Sequence, residues 1–105
     1  MSIIRMAKMP GEINKKGFLT KTLINHKNAA VRNLVLQVGE VIPPHNVEVD
    51  VFFLVISGSG TIVIGNEENL VVTGDIVVCP PNTDMSVKAN QGVVFSFLNV
   101  KTPSL

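Results

Sequence analysis

Short runs of β-branched and other apolar residues, interrupted every few residues by glycine, proline or asparagine, are the strongest constraint on the fold of this sequence. Such runs favour strands and the interruptions favour tight turns. No segment shows the period of a long amphipathic helix. The predicted strands cover residues 18–24, 31–38, 47–51, 61–64, 70–72, 76–79 and 93–98. Many short strands in one chain of 105 residues predict a single all-β domain, either a sandwich or a barrel.

The apolar content is high for a domain of this size. Hydrophobic residues make up 46% of the chain, and an excess of this kind often covers a subunit interface, so we expect an oligomer. The formal net charge is +1, which gives no overall case for a nucleic-acid partner. No uncharged run is both long enough and free enough of glycine to span a bilayer as a helix, so no membrane partner is expected.

The charge is unevenly distributed along the chain. Residues 1–30 carry Glu12 as their one acid, against six cations: Arg5, Lys8, Lys15, Lys16, Lys21 and Lys27. Residues 31–105 carry three cations against seven acids. We interpret the leading segment as a solvated arm that complements the acidic remainder. Contact with an anion, a nucleic acid or an acidic partner is the alternative.

The single cysteine, Cys79, excludes an intrachain disulfide and fits a reducing compartment. The first ten residues, MSIIRMAKMP, lack the apolar core of a secretory signal. The expected location is therefore the cytoplasm.

Two glycine-anchored motifs carry a family resemblance. In the first, Gly39 is followed after five residues by His45, then at fixed spacings by Val47, Val51 and Gly58. This spacing resembles the first motif of the cupin superfamily, which has Gly, His, His, Glu and Gly at these places. Residues two apart on a strand project from one face, so in an unbroken strand positions 45, 47 and 51 would point together into a barrel.

The second motif begins at Gly74 and continues with Pro80, Asn82 and Met85. It is similar to the family's second motif, in which a glycine stands at the place of Asn82 and a metal-binding His at the place of Met85. Asparagine tolerates a left-handed backbone better than most residues, so the first of these substitutions is compatible with the turn.

The resemblance covers about residues 17–100. It implies an all-β cupin jelly-roll β-barrel, also called a double-stranded β-helix, that is usually a homodimer. We expect the barrel domain to span residues 17–105 and residues 1–16 to form an N-terminal arm or edge strand.

The family's metal is held by three His and one Glu, and the matching positions here are His45, Val47, Val51 and Met85. Valine cannot coordinate a metal, and a thioether suits Cu(I) and little else. We therefore expect no conventional metal site and no cofactor. The same four residues are the predicted ligand-binding positions, and no catalytic residue is assigned.

Other candidate residues have simpler interpretations. Glu48 and Asp50 have the opposite strand parity to His45, so we expect them to face solvent. We interpret Cys79 as a buried small hydrophobe and His26 as an exposed turn residue. Two phenylalanines of like parity, Phe95 and Phe97, are expected in the core, with cavity lining as the alternative.

Three functions follow from these observations. The first is a barrel that binds a small, partly apolar metabolite, with His45 as its main polar contact. The second is a metal-dependent enzyme of dioxygenase or isomerase type whose metal is held by His45 and residues not identified by the motifs. The third is a dimeric sensor or interaction module that uses the basic arm as its contact surface.

Overall fold

The computed structural model describes residues 3–104. These residues form one short 3₁₀ turn, Met6–Lys8, followed by ten strands. The strands are β1 (Glu12–Ile13), β2 (Leu19–His26), β3 (Ala29–Leu36), β4 (Val41–His45), β5 (Asp50–Ser57), β6 (Ser59–Ile64), β7 (Glu67–Val72), β8 (Ile76–Cys79), β9 (Met85–Ala89) and β10 (Phe95–Thr102). Residues 3–104 form no helix that is long and apolar enough to cross a membrane.

Two antiparallel sheets form the barrel. One sheet has six strands in the order β1-β2-β3-β10-β5-β8, and the other has four in the order β4-β9-β6-β7. Strands that are adjacent in a sheet are often distant in sequence, as β3 and β10 are, which is typical of a jelly roll. The predicted all-β jelly-roll fold is confirmed.

The inner faces of the two sheets meet in an apolar core. Phe53, Phe95 and Phe97 are almost completely buried there, together with Leu36 and Ile62. The rings of Phe53 and Phe97 meet edge to face at a centroid distance of 5.7 Å, and those of Phe95 and Phe97 at 5.2 Å. Aromatic pairs in these arrangements add to the stabilisation that burial itself provides.

The predicted strand over residues 47–51 is wrong for most of its length. His45 ends β4 in the four-stranded sheet, Asp50 begins β5 in the six-stranded sheet, and residues 46–49 form the connection. The chain changes sheets here, so positions 45 and 51 do not share one pleated strand. The apolar and acidic alternation that suggested a strand belongs to a connection in which the valines are partly buried and Asn46 and Glu48 are exposed.

The other boundaries differ by smaller amounts. The strand predicted at 31–38 is β3, Ala29–Leu36, and the strand predicted at 93–98 is β10, Phe95–Thr102. Two residues of the leading segment, Glu12 and Ile13, form β1 and pair with Thr20 and Leu19 of β2 at the edge of the six-stranded sheet. The predicted division of the chain at residues 16 and 17 stays a prediction.

The turns at Gly58 and Asn82, one in each motif, both have a backbone with positive φ. Gly58 joins β5 to β6 with φ of 81°, and a side chain there would collide with the Val94 carbonyl oxygen. Asn82 has φ of 59°, the left-handed conformation that its position in the second motif predicted. Its backbone N–H donates to the Val47 carbonyl at 2.7 Å, so the turn also fixes the connection between β4 and β5.

Candidate functional site

A cavity of about 520 Å³ opens between the two sheets. Its walls come from the inner faces of β2, β3, β5 and β10 on one side and of β4 and β9 on the other. The apolar lining residues are Phe18, Ala30, Leu34, Ile42, Phe53, Val87 and Phe97. This volume lies in the range of small-molecule sites, which are about 300–1,000 Å³.

Strand pairing places two cations side by side in the cavity wall. Asn99 of β10 pairs with Arg32 of β3, and Lys101 pairs with Ala30, so Arg32 and Lys101 are diagonal neighbours on one face. Both line the cavity and both are partly buried. A pair of like charges in this position repels unless an anion or solvent compensates it.

The environment of Lys101 acts on its ionisation. Partial burial lowers the pKa of the Lys101 ammonium below its usual value, and the positive charges of Arg32 and Lys16 lower it further. Both causes disfavour the protonated amine. A negative charge bound beside this amine would act in the opposite direction.

A tight turn before β2 brings two further cations to the cavity. The Asn14 side-chain oxygen accepts hydrogen bonds from the backbone N–H groups of Lys16 and Phe18, both at 3.0 Å. The Asn14 backbone also pairs with Phe18 at 2.8 Å and with Gly17 at 3.0 Å. Asparagine side chains commonly order turns in this way. Lys15 and Lys16 at the tip of the turn are exposed and line the cavity.

His45 is the polar residue that the four-stranded sheet supplies to the cavity. It ends β4, is partly buried, and its Nδ1 lies 3.1 Å from the Pro43 carbonyl oxygen. Because a carbonyl can only accept, this contact requires the proton on Nδ1. In the neutral imidazole Nε2 then remains as a hydrogen-bond acceptor.

Two of the four residues predicted as ligand-binding positions are strand partners, and three of the four pack in one apolar core. His45 and Met85 pair across β4 and β9, whereas Val51 lies in the opposite sheet and Val47 lies in the connection. Met85 and Val51 are 1% exposed and, with Val47, pack in the apolar core. None of these three lines the cavity. Their contact with a ligand stays a prediction.

These four side chains do not fit a conventional metal centre. The pair of His45 and Met85 offers one imidazole and one thioether, and the valines offer no donor. A stable site for zinc or iron needs three or four nitrogen, oxygen or thiolate ligands. Within residues 3–104, no group of three or more His, Cys, Asp or Glu is close enough to hold a metal ion.

The remaining candidates lie outside the cavity. Cys79 is 1% exposed, and its single S–H lies within donating distance of two carbonyl oxygens, of Pro80 at 3.6 Å and of Thr83 at 3.5 Å from Sγ. Burial raises the pKa of this thiol. Glu48 and Asp50 are exposed, as expected. His26 is exposed too, but it is the last residue of β2 and not a turn residue.

The motif comparison missed the cations of the cavity, although strand parity carries a signal for two of them. Arg32 has the parity of the inward-facing Leu34 and Leu36, and Lys101 has the parity of Phe95 and Phe97. A charged residue at an inward position of an apolar strand indicates a functional site. Phe97 itself is both a core residue and part of the cavity wall.

Comparison with known proteins supports the fold. Residues 33–101 match the cupin domain family. The structure of KdgF from Halomonas sp. is similar, with a TM-score of 0.90 at 18% sequence identity over 100% of this chain and 96% of that chain. No curated protein matches the chain in sequence.

Two further solved structures, of proteins with different names, have the same fold. A predicted oxalate decarboxylase from Thermotoga maritima has a TM-score of 0.89 at 15% identity, over 98% of this chain and 100% of that chain. The polyketide cyclase RemF from Streptomyces resistomycificus has a TM-score of 0.87 at 18% identity, over 99% of this chain and 80% of that chain. Likeness at this level of identity shows the fold alone.

Proposed function

This chain belongs to the cupin domain family, and from that premise we propose that it binds a small, partly apolar metabolite in the barrel cavity without a conventional metal site. The observation that carries the proposal is the cavity of about 520 Å³, which is lined by seven apolar and eight polar side chains. Concave, mostly apolar sites of this size with a small number of polar groups are typical of metabolite binding.

In this proposal His45 orients the ligand. Its Nδ1–H is occupied by the Pro43 carbonyl, so the neutral ring offers Nε2 as an acceptor for a hydroxyl or amide hydrogen of the ligand. The apolar part of the ligand packs against Phe53, Phe97 and Val87. A ligand with an apolar surface and one hydrogen-bond donor would therefore contact both the apolar wall and Nε2 of His45.

A thermal-shift screen of small metabolites tests the proposal. A ligand that binds only the native state at about 100 times its Kd stabilises the protein by about 2.7 kcal/mol. Each hit is then measured by calorimetry against His45→Ala, with His26→Ala as the matched control because His26 is exposed. We expect weaker binding only in His45→Ala. Equal binding by both variants would remove the role of His45. If no hit shifts the NMR signals of the residues that line the cavity, cavity binding is refuted.

The proposal includes a homodimer. Strand pairing places Phe52 and Val78 on the outer face of the six-stranded sheet, and Ile76 shares the face of Val78 on the edge strand β8. Ile76 and Val78 are 62% and 66% exposed. An apolar patch on an edge strand favours association with another chain. Light scattering should give twice the monomer mass for the wild type and the monomer mass for a Val78→Glu variant; a monomeric wild type would contradict this.

A further inference from the structure

The charge of the cavity narrows the class of ligand that it can take. Four cations line it, namely Lys15, Lys16, Arg32 and Lys101. Among the described residues that line the cavity, none is Asp or Glu. The positive potential inside is therefore not neutralised by the wall, and an anion would be attracted from solvent.

The order of side chains along β3 and β10 indicates which parts of the ligand are charged and which are apolar. On β10 the inward residues run in the order Phe95, Phe97, Asn99 and Lys101, and the partners of the last three on β3 are Leu34, Arg32 and Ala30. β10 thus passes from buried apolar side chains to a polar and then a cationic one, and on β3 Arg32 lies beside this polar end, between the apolar Leu34 and Ala30. A ligand that matches this gradient is amphipathic, with an anionic group at one end and an apolar group at the other.

Arg32 is suited to be the main contact of the anionic group. Guanidinium has a planar set of donors that matches the two oxygens of a carboxylate or phosphate, and it stays charged at every accessible pH. The neighbouring Lys101 adds a second positive charge from the adjacent strand. The exposed lysines of the Asn14 turn lie at the cavity as well, where they increase the local concentration of anions.

We propose that the ligand of the cavity is a small amphipathic oxyanion, a carboxylate or phosphate ester whose charged group contacts Arg32 and Lys101 and whose apolar tail contacts Phe53 and Phe97. This inference rests on the proposed function, since it names the chemical class of the metabolite bound in the same cavity. It also gives the leading basic segment a role, because Lys15 and Lys16 belong to it.

Calorimetric titration with four probes tests the inference. The probes are 3-phenylpropionate, phenyl phosphate, the neutral analogue 3-phenylpropanol, and inorganic phosphate. We expect one or both of the tailed anions to bind at least about ten-fold more tightly than the alcohol, since charge-assisted hydrogen bonds are about twice as strong as neutral ones. Which of the two binds more tightly distinguishes a carboxylate from a phosphate ester.

Amino-acid substitutions then identify which cations contact the anionic group of the probe. Arg32→Gln and Lys101→Gln are each expected to weaken the better tailed anion about ten-fold and to leave the alcohol unchanged, whereas Arg32→Lys retains part of the affinity. Lys27→Gln is the matched control, because it removes one positive charge from an exposed turn outside the cavity. Circular dichroism verifies that each variant is folded.

The outcomes separate the two proposals. If the alcohol and both anions bind equally and all shift the NMR signals of the cavity-lining residues, the ligand is not specifically an anion. The proposal that the cavity binds a metabolite would then still stand. Binding of inorganic phosphate as tightly as the tailed anions would overturn the contact of the tail with Phe53 and Phe97. If none of the four probes shifts the NMR signals of the cavity-lining residues, the inference fails, and the proposed function is then decided by the metabolite screen alone. A loss in Lys27→Gln as large as that in Arg32→Gln would also overturn the assignment of Arg32.

Discussion

Replacing Lys101 with methionine is expected to stabilise the folded protein. Lys101 and Arg32 are diagonal neighbours on adjacent strands, which places their Cβ atoms about 7 Å apart and sets the scale of the separation between their charges. Two positive charges at about 7 Å repel by about 0.6 kcal/mol in water and by about 2.4 kcal/mol at an effective dielectric constant near 20. Methionine keeps an unbranched apolar stem and removes the charge, so we expect the free energy of unfolding to rise by about 1 kcal/mol at pH 7.

The gain has a defined dependence on pH. The pKa of Lys101 is lowered in the folded state from its ordinary value of 10.5 by burial and by the charges of Arg32 and Lys16. Between the folded and the unfolded pKa the unfolded chain binds more protons, so the stability of the wild type rises with pH in that window. The advantage of Lys101→Met is therefore complete below the folded pKa and is lost as the pH approaches 10.5.

Urea denaturation followed by far-ultraviolet circular dichroism measures the effect, since the chain has no Trp or Tyr to serve as a fluorophore. The m-value should not change. The gain should shrink between about 0.02 M and about 0.5 M salt because screening weakens the repulsion. Lys27→Met is the control and should be neutral. Destabilisation by Lys101→Met, or a gain of the same size in Lys27→Met, would refute the reasoning.

Three further results are expected. Asn82→Gly should change the free energy of unfolding by a few tenths of a kcal/mol and Asn82→Val should lower it by about 1–2 kcal/mol, because φ of 59° suits glycine and opposes a β-branched residue; similar urea midpoints for the two variants would contradict this. Cys79 should react slowly with a thiol reagent at pH 8 in the native protein and rapidly in urea, because its thiol is buried and its pKa is raised; fast labelling of the native state would show that it is accessible. Protein purified without a metal-chelating tag should contain far less than one iron, manganese, zinc or nickel ion per chain by elemental analysis, and a stoichiometric ion would favour the metal-dependent alternative.

The sequence predicts most of the fold because local signals and motif spacing agree. β-branched runs mark strands such as β6 and β8, and the second motif correctly implies a left-handed turn at Asn82. The change of sheet between His45 and Asp50 is not visible locally. Whether a connection continues one strand or crosses to another sheet depends on pairing with β9 and β10, which are distant in sequence.

The cations of the cavity are less predictable because the family motif covers other positions. The motif positions lie on β4, the connection after it, the start of β5 and β9, whereas the cations lie on β3, β10 and the Asn14 turn. Parity would have placed Arg32 and Lys101 on the inward face once Leu34 and Phe97 were recognised as core residues. Strand parity gives no such indication for Lys15 and Lys16, because they lie in a turn. Their position depends on the hydrogen bonds of Asn14 and on the pairing of β1 with β2.

The Asn14 turn lies outside residues 33–101, the part of the chain that defines the family. The lysines of this turn can therefore vary while every strand of the matched region stays the same. A relative whose leading hairpin carries a different charge would present a different potential at the mouth of the same barrel. Comparing homologues by their leading twenty residues should thus reveal differences in mouth charge that a comparison of their matched strands does not show.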